Sequence, residues 1–526
     1  MKPDYEVVII GAGHNSLVAA NYLAKAGLSV GVFERRKTVG GIASTEELIP
    51  GYHFNSGLSE IGNLSLDMVQ DLNLEEHDLE FIDSPAIAFA PLSDGKQITL
   101  WADHERTLSE MASVSTKDAA AYSVFLNRLE AFTSIMGDMA RRSSPSLKYK
   151  APSLLFAWAK VALRARKLGG RELMELLRVL PMDLKRFLDE QFEDEALKGL
   201  LGADGLIWLD QGPRAAGTSF MLMYQQIAGR NAGYTSNKVL RGGVGKLSDA
   251  LARSAKDHGV DIHLDSSINH IQIEHQNAVG VILQSGEDIR ANIILSGADP
   301  IHTYMELVGA PQLEPRVVRR FRSLKMKGTT ASLHLALSAL PDFPSAAGET
   351  ERLSGSIVIS PSLDYAEKAH DDAKYGRISQ KPILDVRIPS LLDPTMAPEG
   401  KHAMSISYRY APFHLRESDW ETERESLAAS ALQTLKSFSP GINKLVIDHK
   451  VITPLDYEKD YGLTEGSITH GQMGLDQLLL MRPTAGFAGY RGPIENLYLC
   501  GSGSHPGGGI TGAPGRNAAK QVLQEI

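Results

Sequence analysis

The strongest constraint on this fold is a strand–turn–helix–strand pattern at the start of the chain. Residues 5–10 form an apolar, β-branched run, which is typical of a strand buried on both faces of a parallel sheet. A helix is predicted from about Ser16 to Lys25, and a second apolar strand over 29–33 ends at Glu34. Together these elements make a complete βαβ unit. The sequence therefore predicts an α/β fold that begins with a Rossmann-like, dinucleotide-binding domain.

Glycines fill the turn between the first strand and the helix, in the pattern Gly11-x-Gly13-x-x-Ser16. Gly11 permits the tight turn, and Gly13 lets the backbone approach a pyrophosphate at the positive end of the helix. Serine replaces the third glycine of the usual fingerprint but is small enough for close helix packing. His14 and Asn15 lie between these positions and are predicted to sit beside the phosphates. Taken alone, the pattern also fits an ordinary strand-to-helix turn.

Three later features narrow the choice of nucleotide. Glu34 ends the second strand about 20 residues beyond the glycine turn, where a carboxylate can bind a ribose diol and would repel a phosphorylated ribose. This argues against NADP but leaves NAD and FAD. The pair Gly40-Gly41, and the glycine-rich loop 501–509 with the helix after Gly512, would bring backbone N–H groups against a longer cofactor. This distribution favours FAD over NAD.

At 526 residues the chain is too long for one ordinary domain, and mixed strands and long helical stretches interrupt the dinucleotide-binding pattern twice. The pattern returns first with a glycine turn, an amphipathic helix and three short strands, and later with an apolar strand and the glycine-rich loop. We therefore predict one FAD-binding domain built from separated segments and a second, α+β substrate domain. The predicted FAD-binding segments are 1–73, 235–300 and 451–526, and the predicted substrate-domain segments are 74–234 and 301–450.

Several motifs resemble those of a known superfamily. They are 11–16, Glu34 with Gly40-Gly41, Leu-Arg-Gly-Gly-Val-Gly-Lys-Leu at 240–247, and 497–519. In these motifs, and over nearly its full length, the chain is similar to the FAD-dependent amine-oxidase and phytoene-desaturase superfamily. The segments 34–36, 40–51, 499–509 and 515–519 further resemble its phytoene-desaturase-like branch. The resemblance implies an FAD-binding domain of the glutathione-reductase type.

The resemblance also implies which residues bind FAD. Ile268 would meet the adenine through its backbone, and Gly501 and the segment 508–512 would hold the ribityl and flavin end. Many members carry an arginine after the paired glycines where this chain has Ile42, so Arg35 or Arg36 would have to replace one phosphate contact. The implied cofactor residues are Gly11, Gly13, His14, Asn15, Ser16, Glu34, Arg35, Gly41, Ile268, Gly501, Gly508, Gly509, Ile510 and Gly512.

Few catalytic side chains are required for flavin oxidation, because the cofactor carries the hard step. His505 lies in the glycine-rich loop, where its ring could orient substrate, act as an acid or base, or cap backbone groups. His470 and Asp476 lie in a stretch that resembles the phytoene-desaturase-like branch and complete the catalytic candidates. The sequence suggests no metal site, and the single cysteine, Cys500, excludes a thiolate cluster and an internal disulfide.

The leading hypothesis is an FAD-dependent oxidoreductase that dehydrogenates (desaturates) or isomerises an extended apolar, isoprenoid- or polyene-like substrate by hydride transfer to flavin. No second nucleotide fingerprint follows another βαβ unit, so electrons are predicted to pass on to oxygen, a quinone or a protein. Two alternatives stay open. A flavin amine oxidase should need an aromatic cage, whereas the aromatic residues here are scattered. A non-enzymatic, flavin-containing scaffold would bind a partner through its second domain.

The net charge of −9 argues against a nucleic-acid partner. Against this background, the stretch 141–171 is rich in lysine and arginine and contains no acidic residue. A helix within it would place Lys160, Arg164 and Lys167 on one face and apolar residues, including Trp158, on the other. This pattern favours a peripheral membrane contact, with a solvated helix face or a subunit interface as the alternatives.

The expected location is the cytoplasm, with a peripheral position on the inner face of a membrane. A single cysteine suits a reducing compartment, and the apolar N-terminal run leaves no room for a signal peptide before the glycines. No segment approaches the run of about 18 uncharged apolar residues that a membrane span needs. The sequence leaves open whether the chain forms a homo-oligomer.

Overall fold

The computed structural model describes residues 3–59, 61, 64–92, 95–142, 159, 162–163, 166–226 and 238–526. The basic stretch predicted to contact a membrane is therefore described only in part. Trp158, Lys160 and Arg164 lie outside the described residues.

The described fold contains two large sheets, two small two-stranded sheets (β3 with β4, and β5 with β8) and the helices packed on them. The strands are β1 Tyr5–Ile10, β2 Val30–Phe33, β3 Thr45–Ile49, β4 Tyr52–Asn55, β5 Phe81–Asp83, β6 Ala86–Pro91, β7 Gln97–Trp101, β8 Lys238–Leu240, β9 Asp261–His263, β10 Ile268–Glu274, β11 Asn277–Leu283, β12 Asp288–Ser296, β13 Thr330–Leu337, β14 Ser356–Ile359, β15 Leu384–Arg387, β16 His402–Arg409, β17 Val446–Ile452 and β18 Leu497–Leu499. The α-helices are α1 His14–Lys25, α2 Leu66–Asp71, α3 His104–Val114, α4 Thr116–Ala140, α5 Gly170–Val179, α6 Leu184–Asp189, α7 Glu195–Gly205, α8 Ser219–Gln225, α9 Gly245–Asp257, α10 Pro315–Arg322, α11 Leu363–Lys374, α12 Trp420–Lys436, α13 Ile442–Leu445, α14 Pro454–Tyr461 and α15 Ala513–Glu525.

The first sheet contains the N-terminal βαβ unit and has the strand order β10-β11-β12-β1-β2-β9, with β18 also paired to β12. The strands β18, β12, β1, β2 and β9 are parallel, whereas β10, β11 and β12 form an antiparallel meander. Its strands come from three separated parts of the chain, 5–33, 261–296 and 497–499. The predicted α/β fold class, with a discontinuous Rossmann-like domain, is confirmed.

Helix α1 lies between α9 and α15 and covers one face of this sheet. It begins at His14, two residues before the predicted start at Ser16. The reason is that Gly13, with φ −66° and ψ 160°, completes the turn in an extended conformation, which leaves the next residue free to enter the helix.

The second sheet has the order β17-β13-β16-β15-β14-β6-β7, and its strands are antiparallel except for the parallel pair β14 and β6. It belongs to the α+β part of the fold, and α7 packs against β6 and β14. Its last strand in sequence, β17, ends at Ile452, close to the boundary predicted at 450. The exact domain boundaries stay predictions.

None of the helices within the described ranges is long and apolar enough to cross a membrane.

Candidate functional site

A groove follows the carboxyl ends of the parallel strands β1, β2 and β12 and encloses about 950 Å³ of space not filled by protein atoms. Open α/β sheets bind ligands at this edge, because the loops that leave the strands can approach a ligand closely. Ten of the fourteen predicted cofactor residues line the groove. These are Gly11, Gly13, His14, Asn15, Ser16, Glu34, Arg35, Gly41, Ile268 and Gly501.

Glu34 lies at one end of the groove and is buried. Its Oε2 accepts a hydrogen bond from the backbone N–H of Ala12 at 2.7 Å, and its Oε1 accepts one from the backbone N–H of Arg36 at 2.8 Å. Each carboxylate oxygen has a further lone pair with which it can accept a hydrogen bond from a ribose hydroxyl. The two backbone contacts therefore hold the carboxylate in a fixed position beside the groove.

The two glycine turns of the N-terminal segment meet in the middle of the groove. The backbone N–H of Gly40 donates to the carbonyl of Ala12 at 2.8 Å, and a Cβ placed on Gly41 would lie 3.4 Å from the Cα of Gly13. A Cβ on Gly13, by contrast, would meet no protein atom within 4 Å. The open space beside Gly13 is where a pyrophosphate can approach the backbone.

Two helices begin next to each other at the groove. A Cβ on Gly515, in the first turn of α15, would lie 1.9 Å from the carbonyl oxygen of Asn15, in the first turn of α1. Neither helix has a side-chain hydrogen bond at its N-cap, Gly13 or Gly512. The positive end of α1, whose first residues line the groove, is therefore available to an anionic ligand. In α15 the backbone N–H of Ala513 donates to the hydroxyl of Thr511 at 3.2 Å, and Pro514 has no N–H.

Three buried polar atoms beside the groove have no hydrogen-bond partner among the residues that the structure describes, namely Nε2 of His14, Oδ1 of Asn15 and Nδ1 of His470. Buried polar atoms are normally paired, so each of these positions calls for a ligand group. A dinucleotide with ribityl and ribose hydroxyls and phosphate oxygens offers both donors and acceptors. The groove therefore fits FAD in its shape and in its unmet hydrogen bonds.

Two of the groove histidines, His14 and His470, are neutral at physiological pH. Burial lowers the pKa of His14 to about 4, although a backbone hydrogen bond with Gly509 acts in the other direction. Burial likewise lowers the pKa of His470 to about 4, against the opposing effect of Asp299. Because each neutral ring has one N–H donor and one acceptor, these residues can hold a polar ligand without adding charge.

The remaining predicted cofactor residues lie in the C-terminal loop, beyond the groove. The carbonyl of Gly508 accepts a hydrogen bond from the hydroxyl of Tyr224 at 2.9 Å. Gly509 and Ile510 line a second, larger cavity, and a Cβ on Gly509 would lie 3.4 Å from the ring of Trp208. Gly512 is the N-cap of α15 and has a φ of 68°, which favours glycine. The loop thus borders both spaces, since Gly501 and Ser502 line the dinucleotide groove and Gly509 and Ile510 line the cavity.

The larger cavity encloses about 2530 Å³, including the space at its mouth, between α4, α7 and α8 on one side and β6, β7, β14 and β15 on the other. Apolar side chains make up most of its described wall. They are Ile61, Ala86, Ala88, Leu100, Tyr122, Phe125, Leu126, Leu129, Leu200, Leu201, Ile207, Trp208, Leu222, Val239 and Val358. A space of this kind, on one side of the C-terminal glycine loop, can hold a long apolar molecule.

A charged cluster interrupts the apolar wall. The carboxylate of Asp385 lies 3.1 Å from the guanidinium of Arg409 and 3.7 Å from that of Arg387. Burial acts to raise the pKa of Asp385, but the two guanidinium groups outweigh it and hold the pKa below its usual value. The Nδ1 of His334 lies 2.9 Å from the hydroxyl of Ser405, and burial lowers the pKa of this histidine to about 3. His334 is therefore neutral beside the cluster.

The three catalytic candidates lie in different surroundings. His470 lines the groove. His505 is buried, and its Nε2 lies 3.0 Å from the carbonyl of Met139, so it connects the end of α4 to the glycine-rich loop. Asp476 has a side chain that is 56% exposed and forms an ion pair with Lys325 at 2.7 Å. Catalytic roles for these residues stay predictions.

Arg35 and Arg36 both line the groove next to Ile42. Arg36 donates to the carbonyl of Gly41 at 3.3 Å and forms a close ion pair with Glu46. Arg35 is more exposed, and its guanidinium donates to a backbone carbonyl at 3.1 Å. Because Glu46 already matches the charge of Arg36, Arg35 is the better placed of the two to meet a phosphate.

Sequence reasoning did not single out Gly297, which follows β12 as Gly11 follows β1. A Cβ on Gly297 would lie 2.0 Å from the Oγ of Ser16, so a larger residue could not pack here. Glycine directly after a parallel strand was the signal that could have found it. Tyr461, from α14, also lines the groove, and no local pattern predicts it because its neighbours there are far away in sequence.

Sequence comparison gives a family and several relatives. Residues 17–523 match the family model described as flavin containing amine oxidoreductase. The chain is 34% identical to pyridine nucleotide-disulfide oxidoreductase domain-containing protein 2 of Rattus norvegicus, in an alignment that covers 100% of this chain and 94% of the relative. It is 27% identical to one of the limonene dehydrogenase subunits of Castellaniella defragrans, covering 99% and 95%. It is 26% identical to a neurosporene-forming phytoene desaturase of Cereibacter sphaeroides, covering 97% and 92%.

Structural comparison gives the same fold. A variant of putrescine oxidase superposes with a TM-score of 0.61 at 15% identity, over 99% of both chains. An oxidoreductase from Methanosarcina mazei superposes with a TM-score of 0.60 at 17% identity, over 98% of this chain and 99% of the other. At such low identity, these likenesses establish the architecture alone.

Proposed function

The chain belongs to the flavin containing amine oxidoreductase family, with FAD as its cofactor, and from this premise we propose that it dehydrogenates or isomerises an extended apolar substrate of isoprenoid or polyene type. That it is an FAD-dependent oxidoreductase follows from the family. The nature of the substrate is the proposal.

One observation carries the proposal, namely that a large and mostly apolar cavity ends at Gly509 and Ile510 of the C-terminal glycine loop. An extended apolar molecule gains free energy from leaving water for such a wall, at roughly 25 cal/mol per Å² of buried apolar surface. The relatives named for the dehydrogenation of limonene and the desaturation of phytoene support the same choice.

The groove residues would hold the cofactor. Glu34 would bind the ribose of the adenosine half, and the open side of Gly13 would face the pyrophosphate. The positive end of α15, which begins after Gly512, would lie near the flavin end. Bound FAD supplies the two-electron acceptor for removal of hydride from a substrate C–H bond.

The chain itself positions the substrate and excludes water. Residues of α4, α7 and β6 enclose the cavity, and Trp208 packs against Gly509 at its inner end. A substrate held in this cavity would have few competing polar contacts, so its orientation would depend on the shape of the wall. His14 and His470 are neutral and can hold polar groups of the cofactor without repelling an apolar substrate.

The direct experiment is anaerobic reduction of the purified, FAD-loaded protein by a panel of polyenes, isoprenoids and amines. Bleaching of the flavin absorbance by a polyene or isoprenoid would support the proposal. Bleaching by amines alone would support an amine oxidase instead. Absence of reduction by every compound, with a partner protein that copurifies stably, would favour the scaffold alternative.

A second experiment tests the electron acceptor. If a compound reduces the flavin, the reduced protein is mixed with oxygen, a quinone or a candidate protein acceptor, and reoxidation of the flavin is followed.

We also propose that the protein is cytoplasmic and lies peripherally on a membrane, from which an apolar substrate can enter. Three large apolar side chains of the described part of 159–179 are more than half exposed, with Leu163 at 59%, Met174 at 67% and Leu177 at 54%. Lys167 and Arg171 lie in the same region and are exposed. Exposed apolar and basic side chains together suit the interface of an anionic membrane.

A further inference from the structure

A smaller, more polar space adjoins the apolar cavity at the wall that the second sheet forms. It encloses about 480 Å³, including the space at its mouth, and shares with the larger cavity the residues Ser59, Ile207, Trp208, Asp385 and Arg387. We call it the serine-lined pocket, after the hydroxyl-bearing residues of its wall, which are Ser59, Thr330, Ser332, Ser405 and Ser407. A molecule that fills the apolar cavity can therefore place a polar group in this pocket.

His334, on β13, lines the serine-lined pocket and is 1% exposed. Its Nδ1 lies 2.9 Å from the hydroxyl of Ser405, on the paired strand β16. Its ring packs against that of Phe54, with the ring centroids 5.1 Å apart, so the imidazole is held on two sides. The Nε2 atom is buried and has no hydrogen-bond partner among the described residues. Since buried polar atoms are normally paired, Nε2 calls for a polar group of a ligand.

The hydrogen bond with Ser405 restricts which group Nε2 can meet. If the hydroxyl of Ser405 donates to Nδ1, then Nε2 carries the proton and is a donor. If Nδ1 donates to Ser405 instead, then Nε2 is an acceptor. A ligand hydroxyl pairs with Nε2 in both cases, because it can donate and accept. A carbonyl can only accept, and an ammonium group can only donate.

The charges of the same wall favour an uncharged ligand group. The carboxylate of Asp385 already contacts the guanidinium groups of Arg387 and Arg409, at 3.7 and 3.1 Å. Burial lowers the pKa of His334 to about 3, so its ring adds no charge at neutral pH. A charged head group would lose its water here and find no opposite charge at the histidine, whereas a hydroxyl loses much less on leaving water.

We propose that His334 binds a hydroxyl group of the substrate, so that the natural substrate is an isoprenoid or polyene alcohol rather than a hydrocarbon. This inference rests on the proposed function, which supplies the apolar part of the ligand. The hydroxyl lies in the serine-lined pocket, and the apolar chain occupies the larger cavity. His334 thereby determines which apolar molecules bind in a fixed orientation.

The test compares three probes that share one polyene chain and differ at its end. They are all-trans retinol, its hydrocarbon analogue axerophthene, in which a methyl group replaces the hydroxymethyl group, and retinoic acid. Each is titrated into the FAD-loaded protein, and binding is read from quenching of tryptophan fluorescence, since Trp101 and Trp208 line the cavity. The wild type should bind retinol at least as tightly as axerophthene, although a hydroxyl is costlier to remove from water than a methyl group. Retinoic acid should bind more weakly than retinol.

Two substitutions of His334 separate its two nitrogens. Asparagine can keep a polar contact with Ser405 where Nδ1 lies but has no atom at the position of Nε2, so His334→Asn should bind retinol about 5- to 100-fold more weakly. Its affinity for axerophthene should stay within about twofold of the wild type. Glutamine reaches further and offers a donor and an acceptor near the position of Nε2, so His334→Gln should recover part of the retinol affinity.

His402→Asn is the matched control. His402 lies on β16 of the same sheet, its Nδ1 is 3.1 Å from the hydroxyl of Ser390, and it lines neither the cavity nor the serine-lined pocket. Its retinol affinity should equal that of the wild type. Flavin absorbance and the thermal midpoint report whether each variant is folded, and the comparison of the three probes on the wild type needs no variant.

The outcomes separate this inference from the proposed function. Weaker binding of retinol than of axerophthene or retinoic acid to the wild type would overturn the hydroxyl site and leave the apolar substrate standing. An equal loss of retinol and axerophthene affinity in His334→Asn would do the same. A lower affinity of His334→Asn for FAD would show that the histidine meets the cofactor, and would also overturn the site. Failure of all three probes to bind would overturn the apolar substrate as well.

Discussion

The carboxylate of Glu34 and the backbone N–H of Ala12 form a 2.7 Å hydrogen bond that joins the end of β2 to the turn after β1. The second carboxylate oxygen accepts from the backbone N–H of Arg36 at 2.8 Å. The acid is thus held in place before any ligand binds. Side chains held in this way bind with little loss of conformational entropy, which makes Glu34 a direct test of the cofactor site.

The substitution Glu34→Gln should weaken FAD binding by about 10- to 100-fold, because the amide replaces one charged acceptor by a donor and cannot satisfy all of the same partners. The affinity is measured by adding FAD to the apoprotein and following flavin fluorescence. Glu6→Gln is the matched control, since Glu6 accepts from the backbone N–H of Ser29 at 2.8 Å at the other end of the same βαβ unit. Equal affinities in the two variants would place the ribose elsewhere.

The substitution Gly13→Ala should weaken FAD binding without changing the stability of the folded protein. Its φ of −66° suits alanine, and the added Cβ would meet no protein atom within 4 Å, so the thermal midpoint of the apoprotein should stay within about 2 °C of the wild type. The methyl group would project into the groove, and FAD affinity should fall at least about tenfold. Gly441→Ala is the control, because that glycine also has open space around it. Undiminished FAD binding by Gly13→Ala would show that the cofactor does not approach this turn.

Lowering the pH should decrease the free energy of unfolding, because buried neutral histidines become protonated on unfolding. His334 is the residue on which we test this expectation. Burial lowers its pKa to about 3, whereas an unfolded histidine has a pKa of about 6.5. The unfolded state therefore binds more protons between these values, so the stabilisation is complete above about pH 6.5 and declines as the pH falls. At pH 5 the loss from this residue is about 2 kcal/mol.

Chemical unfolding at pH 7 and pH 5 checks this expectation. His334→Asn should lose less stability between the two pH values than the wild type, whatever its stability at pH 7. The control is His449→Gln, a partly exposed histidine that pairs with Glu425 on the surface. The same pH dependence in the wild type and His334→Asn would rule out His334 as a source of acid lability.

Filling the cavity should block substrate without removing FAD. Ala88 lies on β6 and lines the cavity, so Ala88→Phe would occupy part of the space that we assign to the substrate. We expect flavin content to be unchanged and the anaerobic rate of flavin reduction by a polyene to fall at least about tenfold. Ala429→Phe, at an exposed position of α12, controls for the added ring. Unaltered reduction by Ala88→Phe would mean that the substrate binds elsewhere.

Membrane binding is tested by sedimentation with anionic liposomes. The double variant Lys167→Glu, Arg171→Glu should bind at least about 30-fold more weakly, because each basic residue near an anionic surface contributes about 1 kcal/mol. The matched control is Lys444→Glu, Lys450→Glu, which changes the same net charge at two exposed positions of the second sheet region. Equal loss in both variants would indicate a general charge effect and argue against a contact in this region.

The sequence by itself determined the N-terminal βαβ unit and the identity of the cofactor, and it singled out Glu34 as the acid predicted to bind the ribose. These features depend on short-range physics, because an apolar strand, a glycine turn and a helix can be recognised within some 30 residues. Glu34 and Gly13 act through backbone geometry that their own segment creates. The return of the chain to the same sheet near 261–296 and 497–499 could also be predicted, since parallel strands buried on both faces are uniformly apolar.

Only the tertiary structure decided which side chains surround the cavity. His505 could be assigned either to the substrate side or to a backbone contact until the fold brought it within 3.0 Å of the carbonyl of Met139, 366 residues away in sequence. No local sequence pattern predicts that Arg387, Asp385 and His334 lie close together. They meet because β13, β15 and β16 pair in one sheet. The cavity and its charged groups are formed by contacts between residues far apart in sequence, so a short stretch of sequence cannot predict them.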